Sequence, residues 1–249
     1  MTPRHSPALE ASALGAVLAL ARERATEGIT VADLADAAGY SPFHFSRLFS
    51  AVLPMSPGQY LTVLRMDAAK RLLLAGTDPV IDVATAVGFD SLSSFARRFR
   101  ATVGVPPAQM RQLAARLADA PLRPFRLGDP GQPGVRVRMV VPDAVRPSRD
   151  VQIWAGWFAQ PAPLGVPRGG VLLDAAVDVE IPLCPGYPWL LANVLPAGAD
   201  PAEQIAPSRL VVAVHPAPIV EPGAVTLHIS PAHSTVPILT ALPSLWRPE

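Results

Sequence analysis

The stretch Gly39–Phe49, GYSPFHFSRLF, decides how the first half of this chain is read. It opens with glycine and an aromatic residue, passes through Ser41-Pro42, and closes on Arg47 with Phe49 two residues on. Serine followed by proline marks a helix start, because serine caps the free N–H groups and proline fits the first helical position. About fifty residues later the pattern returns as GFDSLSSFARRF, Gly88–Phe99. A local signal written twice predicts two copies of one small structural unit.

Reading outward strengthens the repeat. TVADLADAAG precedes the first copy, with Thr30 and Asp33 spaced as a capping box, Val31, Leu34 and Ala35 on one face, and Gly39 as the stop. DPVIDVATAVG precedes the second, with Asp78-Pro79 as cap plus proline and Val80, Val83 and Ala84 taking the apolar places. Asp90 or Ser91 then caps the following helix. The inner face of the first closing helix is Phe45, Leu48, Phe49 and Val52; that of the second is Leu92, Phe95, Phe99 and Val103. Each copy is two short helices joined by a glycine-containing turn, a helix-turn-helix unit. An earlier helix is expected from Pro7 to Thr26, ending at Gly28. Two copies are too few for a solenoid.

Between the copies, PGQYLTVLRMDAAKRLLLAG predicts one largely buried helix from Pro57 to Ala75, with Leu61, Val63, Leu64, Ala68, Leu72 and Leu74 as its apolar residues. At ~1.5 Å per residue it spans roughly 28 Å. Recognition helices in successive major grooves lie about 34 Å apart. A helix of this length is a fitting spacer.

The outward positions supply the chemistry. Pro42, Phe43, Ser46, Arg47 and Ser50 face out from the first helix; Ser93, Ala96, Arg97 and Arg100 face out from the second. Arginine can read guanine O6 and N7 with two hydrogen bonds, and small neighbours such as Ser46 and Ala96 let a helix approach base edges. Phe43 suits thymine methyls. Ser41, Ser91 and the helix starts at Ser56 and Pro106 offer N–H groups to phosphates. From Ser91 to Leu117 there are five arginines, 97, 98, 100, 111 and 116, and no acid. A lone surface arginine is ordinary solvated charge; two at matched positions of a repeat favour DNA. His44 borders the packed face and reads as structural.

Residues 29–111 resemble the DNA-binding domain of the AraC/XylS family of bacterial transcription regulators. The resemblance rests on GYSPFHFSRLF, MSPGQYLTVLRMDAAKRLLL, DPVIDVATAVGFDSLSSFARRF and GVPPAQMR. It implies an all-α, homeodomain-like double helix-turn-helix binding double-stranded DNA through consecutive major grooves, with RNA polymerase as a further partner. By matching positions it implies base contacts from Phe43, Ser46, Arg47, Leu92, Ser93, Ala96 and Arg97. Pro54, Val103 and Met110 depart from the family pattern at what look like packing positions. Most members carry this domain last, whereas here it comes first.

Composition shifts near Pro121. Only eight of the 30 prolines precede it, and all four tryptophans (Trp154, Trp157, Trp189, Trp246) follow. DAPLRPFRLGDPGQPG reads as a boundary, dividing 1–120 from 121–249. VRVRMVV alternates like a half-buried strand, and VQIWAGWFA is apolar on both faces like a central one. GGVLLDAAVDVEIPL, PWLLANVLPAG, SRLVVAVHP and AVTLHISPA read as further strands. The expected fold is therefore an α domain followed by an antiparallel β-sandwich. VEIPLCPGYPWLLANVLPAG also resembles prealbumin-like or carboxypeptidase-regulatory-like sandwiches. A ligand site lined by Trp154, Trp157 and Trp189 is expected of an effector-sensing domain; an apolar edge would instead serve another protein or a homodimer.

Half of the 249 residues are apolar and 16% are charged, so the chain folds, and a net charge of +1 leaves DNA binding to local basic patches. The single cysteine, Cys184, excludes an internal disulfide and fits a reducing, cytoplasmic setting. Neither a signal peptide nor a membrane span is expected. The alternative function is a DNA-modifying or repair enzyme delivered by the helix-turn-helix domain. Cys184 would be its nucleophile, or His215, His228 and His233 its metal ligands. Cys184 lies between prolines without a partner motif, nothing fixes the histidines, and Asp174, Asp178 and Glu180 read as the wet side of one strand. No enzyme, cofactor or metal is expected.

Overall fold

A computed structural model describes residues 11–119, 123–142, 151–175, 178–196, 199–208, 211–230, 236, 237 and 239. Seven helices come first: α1 (Ala11–Arg24), α2 (Val31–Ala37), α3 (Pro42–Val52), α4 (Pro57–Ala75), α5 (Val80–Ala86), α6 (Leu92–Val103) and α7 (Pro107–Asp119). A 3-10 turn, Ala25–Glu27, and Gly28 close α1. The starts follow the caps in the sequence. Thr30 and Asp33 form the capping box of α2, and the Thr30 hydroxyl and N–H hold the Asp33 carboxyl below its usual range. Ser41, Ser56 and Ser91 cap α3, α4 and α6. Asp78 does not cap α5. Pro79 occupies that position with no side-chain bond, and the Asp78 carbonyl instead accepts from Arg111 Nη2 at 2.6 Å.

The strands are β1 (Phe125–Leu127), β2 (Gly134–Val140), β3 (Val151–Phe158), β4 (Gly170–Leu173), β5 (Val179–Pro182), β6 (Trp189–Pro196), β7 (Val212–Val214) and β8 (Gly223–His228), with a short helix α8 (Pro201–Ile205) before β7. One sheet runs β1-β4-β3-β6-β7 and the other β5-β2-β8. Their facing sides share one apolar core, including Val135, Val137 and Ile181 from one sheet and Ile153, Trp157, Leu190 and Ala192 from the other. This is the expected sandwich, with one departure: β8 lies parallel to β2. Alternation marks both as strands but says nothing of the direction in which a strand from the far end of the domain arrives.

Asp174, Asp178 and Glu180 do not share a strand face. Asp174 follows β4, Asp178 precedes β5, and these strands belong to different sheets. Asp178 pairs with Arg138 at 3.2 Å, and Asp174 accepts from Gln152 at 3.5 Å.

β3 is buried on both sides for two different reasons. Ile153, Ala155 and Trp157 point into the sandwich, while Trp154 and Phe158 lie on the opposite face, toward the helices. The helical core is completed from beyond the proline-rich boundary: Ala162, Ile205, Val236 and Leu239 pack with Phe45, Phe49, Met66 and Leu73. α8 docks against α4, where Lys70 Nζ donates to the Ile205 carbonyl and Arg71 Nη2 to that of Pro207 at 3.1 Å. The β3–β4 connection reaches α6, with Gly165 N–H donating to the Thr102 carbonyl at 2.7 Å.

Candidate nucleic-acid interface

The two repeated units are built alike. Gly39 and Gly88 both take a left-handed conformation, φ 73 and 78, which lets the chain reverse after a short helix. In the first unit Gly39 N–H donates to Asp36 O at 3.0 Å and Tyr40 N–H to Ala35 O at 2.9 Å. In the second Gly88 N–H donates to Thr85 O and Phe89 N–H to Ala84 O, each at 3.0 Å. Phe45 and Phe49 anchor α3; Phe95 and Phe99 anchor α6. Their ring centroids are 5.5 and 5.6 Å apart respectively. Equivalent anchoring turns equivalent faces outward.

On α3, Phe43 is 82% exposed and Arg47 is exposed, with half-buried Ser46 between them. Ser46 Oγ donates to the Pro42 carbonyl at 2.8 Å, keeping the hydroxyl close to the helix. On α6, Leu92, Ser93, Arg97 and Arg100 are exposed and Ala96 is half-buried. Leu92, expected on the inner face, therefore sits at the rim. Val52, also expected inside, and Leu72 of α4 are exposed as well. Neither α3 nor α6 contains an acidic residue. Ser41, Ser56 and Ser91 spend their oxygen lone pairs on backbone N–H groups at 3.4, 3.3 and 3.4 Å, leaving each hydroxyl proton free to meet an anion.

Not every arginine of the basic run belongs to this surface. Arg98 lies over the Phe89 ring at 6.0 Å, Arg111 is half-buried on the Asp78 carbonyl, and Arg116 is half-buried. Arg97 and Arg100 remain for a polyanion.

Two positioning residues escape a reading by periodicity. Arg65 of α4 donates to the carbonyls of Ala25 and Ile29 at 2.7 and 2.9 Å, and burial pushes its pKa down. It ties the spacer helix to the turn before the first unit. His44 does border the packed face, its ring 5.2 Å from that of Tyr40, but its Nδ1 also lies 3.3 Å from Arg47 Nη2. With the ring proton on Nε2, Nδ1 accepts from the guanidinium and steers it along the helix surface. The i, i+3 spacing was the available signal.

The tryptophans divide. Trp157 points into the sandwich, where its indole N–H donates to the Pro182 carbonyl at 2.7 Å, away from the side of the sheet that faces the helices. Trp154 and Trp189 line a cavity between the sheet and the helices. Residues 154 and 157 are an odd number apart on one strand, which puts them on opposite faces. Cys184 is half-buried, and burial pushes its thiol up, the opposite of nucleophile activation. His215 and His228 also line the cavity, His233 lies outside the described residues, and no metal-ligating cluster occurs among the described residues. Among them, no helix is long and apolar enough to cross a membrane.

Comparison with known proteins falls on this half of the chain. A family described as "Helix-turn-helix domain" matches residues 34–113. The HTH-type transcriptional activator AarP of Providencia stuartii is 31% identical over 102 residues, 41% of this chain and 76% of that protein. The bifunctional transcriptional activator/DNA repair enzyme AdaA of Bacillus subtilis is 32% identical over 89 residues, 36% of this chain and 42% of its own. The DNA-binding domain of AdpA, solved in complex with a target DNA, is 35% identical and covers 43% of this chain and 96% of its own, with a TM-score of 0.39. The chain spans about a third of the length of other curated relatives it matches. With its paired units at residues 34–113 and its coverage of AarP, this chain belongs to the AraC-type helix-turn-helix family of transcriptional regulators.

Proposed function

We propose that the chain is a sequence-specific, DNA-binding transcription regulator that reads two successive major grooves with α3 and α6. The observation that carries this is the matched pair Arg47 and Arg97. Both are exposed on acid-free helices of identical anchoring, and the 19-residue helix α4 joins the two units. Phe43, Ser46 and Arg47 meet bases in one groove; Leu92, Ser93, Ala96 and Arg97 meet them in the next. Ser41, Ser56, Ser91 and Arg100 hold phosphates. Residues 1–120 form the DNA-binding domain, and 121–249 form a domain that senses a ligand or makes protein contacts, including a homodimer or RNA polymerase. The shifted thiol of Cys184 gives an enzymatic reading no support.

Selection from random duplexes, followed by footprinting, tests the proposal. It expects an asymmetric site of roughly 20 base pairs with two unlike half-sites, because α3 and α6 present different side chains. Binding without sequence preference, or to a single short half-site unaffected by Arg47→Ala or Arg97→Ala, would overturn it.

A further inference from the structure

The seam between the sheet and the first helix-turn-helix unit holds an open-mouthed cavity of about 880 Å3, within the usual span of small-molecule sites. One wall is the outer face of the five-stranded sheet. Trp154 stands directly across from Asn193, and Phe158 across from Trp189. Leu191 and Val214 complete that face. The opposite wall is residues 50–54, the last turn of α3 and its exit toward α4.

Three features define what such a space accepts. Aromatic and aliphatic side chains make up most of the lining. No Asp, Glu, Lys or Arg occurs among the described lining residues, and with the rings of His215 and His228 neutral a charged guest would lose its hydration without a counter-ion. The polar side chains of the lining are Ser50, Asn193, His215, His228 and Ser230. The Asn193 amide, half-buried in the middle of the apolar wall, makes no hydrogen bond among the described residues, and the buried Trp154 indole N–H has no partner either. An amide in such a wall favours a guest that hydrogen-bonds to it.

We propose that this cavity is the effector site, and that it takes an uncharged aromatic small molecule carrying one hydrogen-bonding group opposite Asn193. The regulatory half of this proposal rests on the DNA-binding reading above. A guest touching both walls braces the end of α3 against the sheet. It changes operator affinity to the extent that it favours one setting of that helix.

The test uses the full chain and two fluorescent probes that share a ring system. N-phenyl-1-naphthylamine is uncharged; 1-anilinonaphthalene-8-sulfonate carries a sulfonate. The expected result is saturable one-to-one binding of the uncharged probe, at least about ten-fold tighter than the sulfonate. Val214→Tyr, at an edge-strand residue that is 40% exposed, narrows the cavity and weakens the probe about ten-fold. Asn193→Leu, close in volume, weakens it about three-fold or more. Non-saturable binding, equal affinity for the two probes, or wild-type affinity in both variants overturns the site. Operator affinity, measured with and without the uncharged probe, shifts at least about three-fold in the parent and not in Val214→Tyr. An unshifted parent with the probe bound overturns the regulatory role. A parent that binds no selected DNA sinks the DNA-binding reading, while the probe measurements still decide the cavity.

Discussion

Lys70 Nζ donates to the carbonyl of Ile205 at 2.6 Å across 135 residues of sequence, and the lysine is completely buried. Burial lowers its pKa from 10.5 to about 7; Asp67 opposes that shift and Arg71 adds to it. The last turn of α8 is thus joined to the last third of the spacer helix by an ammonium that only just holds its proton at neutral pH.

A pH dependence follows from that depressed pKa. Between about 7 and 10.5 the unfolded chain binds a proton that the folded chain has released, so stability rises with pH through this window and the contribution is lost as pH falls through 7. Cys184, whose thiol is raised by burial, opposes the trend near its ordinary value of 9.0. Urea midpoints between about pH 6.5 and 8.5 should therefore climb in the parent and stay flat in Lys70→Met. Equal slopes would mean that Lys70 does not titrate there.

Arg47→Ala and Arg97→Ala are each expected to lose about 1–3 kcal/mol of specific binding and to relax base preference in their own half of the site. Competition titrations with half-site mutants measure both effects. His44→Ala, which removes the acceptor beside Arg47, should weaken preference in the first half-site less than Arg47→Ala does.

Arg100 should behave differently. With Arg98 held on Phe89 and Arg111 on Asp78, it is one of few guanidinium groups left for phosphates on α6. Arg100→Ala should flatten the dependence of log affinity on log salt by about one contact and leave the consensus unchanged. A changed consensus with an unchanged slope would make Arg100 a base reader.

The spacer helix predicts an intolerance to spacing. α4 is fixed to the turn before α2 through Arg65 and to α8 through Lys70, so it cannot follow a rotated half-site. Inserting about five base pairs, half a helical turn, should reduce binding of the full chain to that of a single unit. Electrophoretic titration of both duplexes decides this, and retained affinity would show that α4 is not the ruler.

Trp157→Phe should cost about 1–3 kcal/mol of stability, because the Pro182 carbonyl loses its buried donor. Trp154→Phe should cost less, since its indole N–H has no partner to lose. Urea unfolding of the two variants side by side gives the comparison.

The helical half was legible in the sequence because its instructions are local. Thr30, Ser41, Ser56 and Ser91 act within three residues of themselves, and Gly39 and Gly88 act at a single turn. The outward positions of Arg47 and Arg97 followed from Phe45 and Phe95 facing in. What escaped depends on distant partners. Nothing near Lys70 announces Ile205, and nothing in β2 specifies that β8 runs beside it in parallel. Trp157 stands between these cases. Its strand was plain, and parity alone separates it from Trp154, yet which face looked onto a cavity depended on the helices packed behind the sheet.

The parallel pairing of β2 with β8 also sets an order in time. During synthesis, α7 leaves the ribosome roughly a hundred residues ahead of β8, a delay of about 5–20 s at ordinary elongation rates. In that interval the caps and turns of the two helix-turn-helix units can form, while β2 still lacks the strand that closes its sheet and the helical core still lacks Val236 and Leu239. A nascent chain therefore carries both helix-turn-helix units before either the second sheet or the helical core is complete, and a transcript truncated ahead of Gly223 would encode a protein lacking both closures.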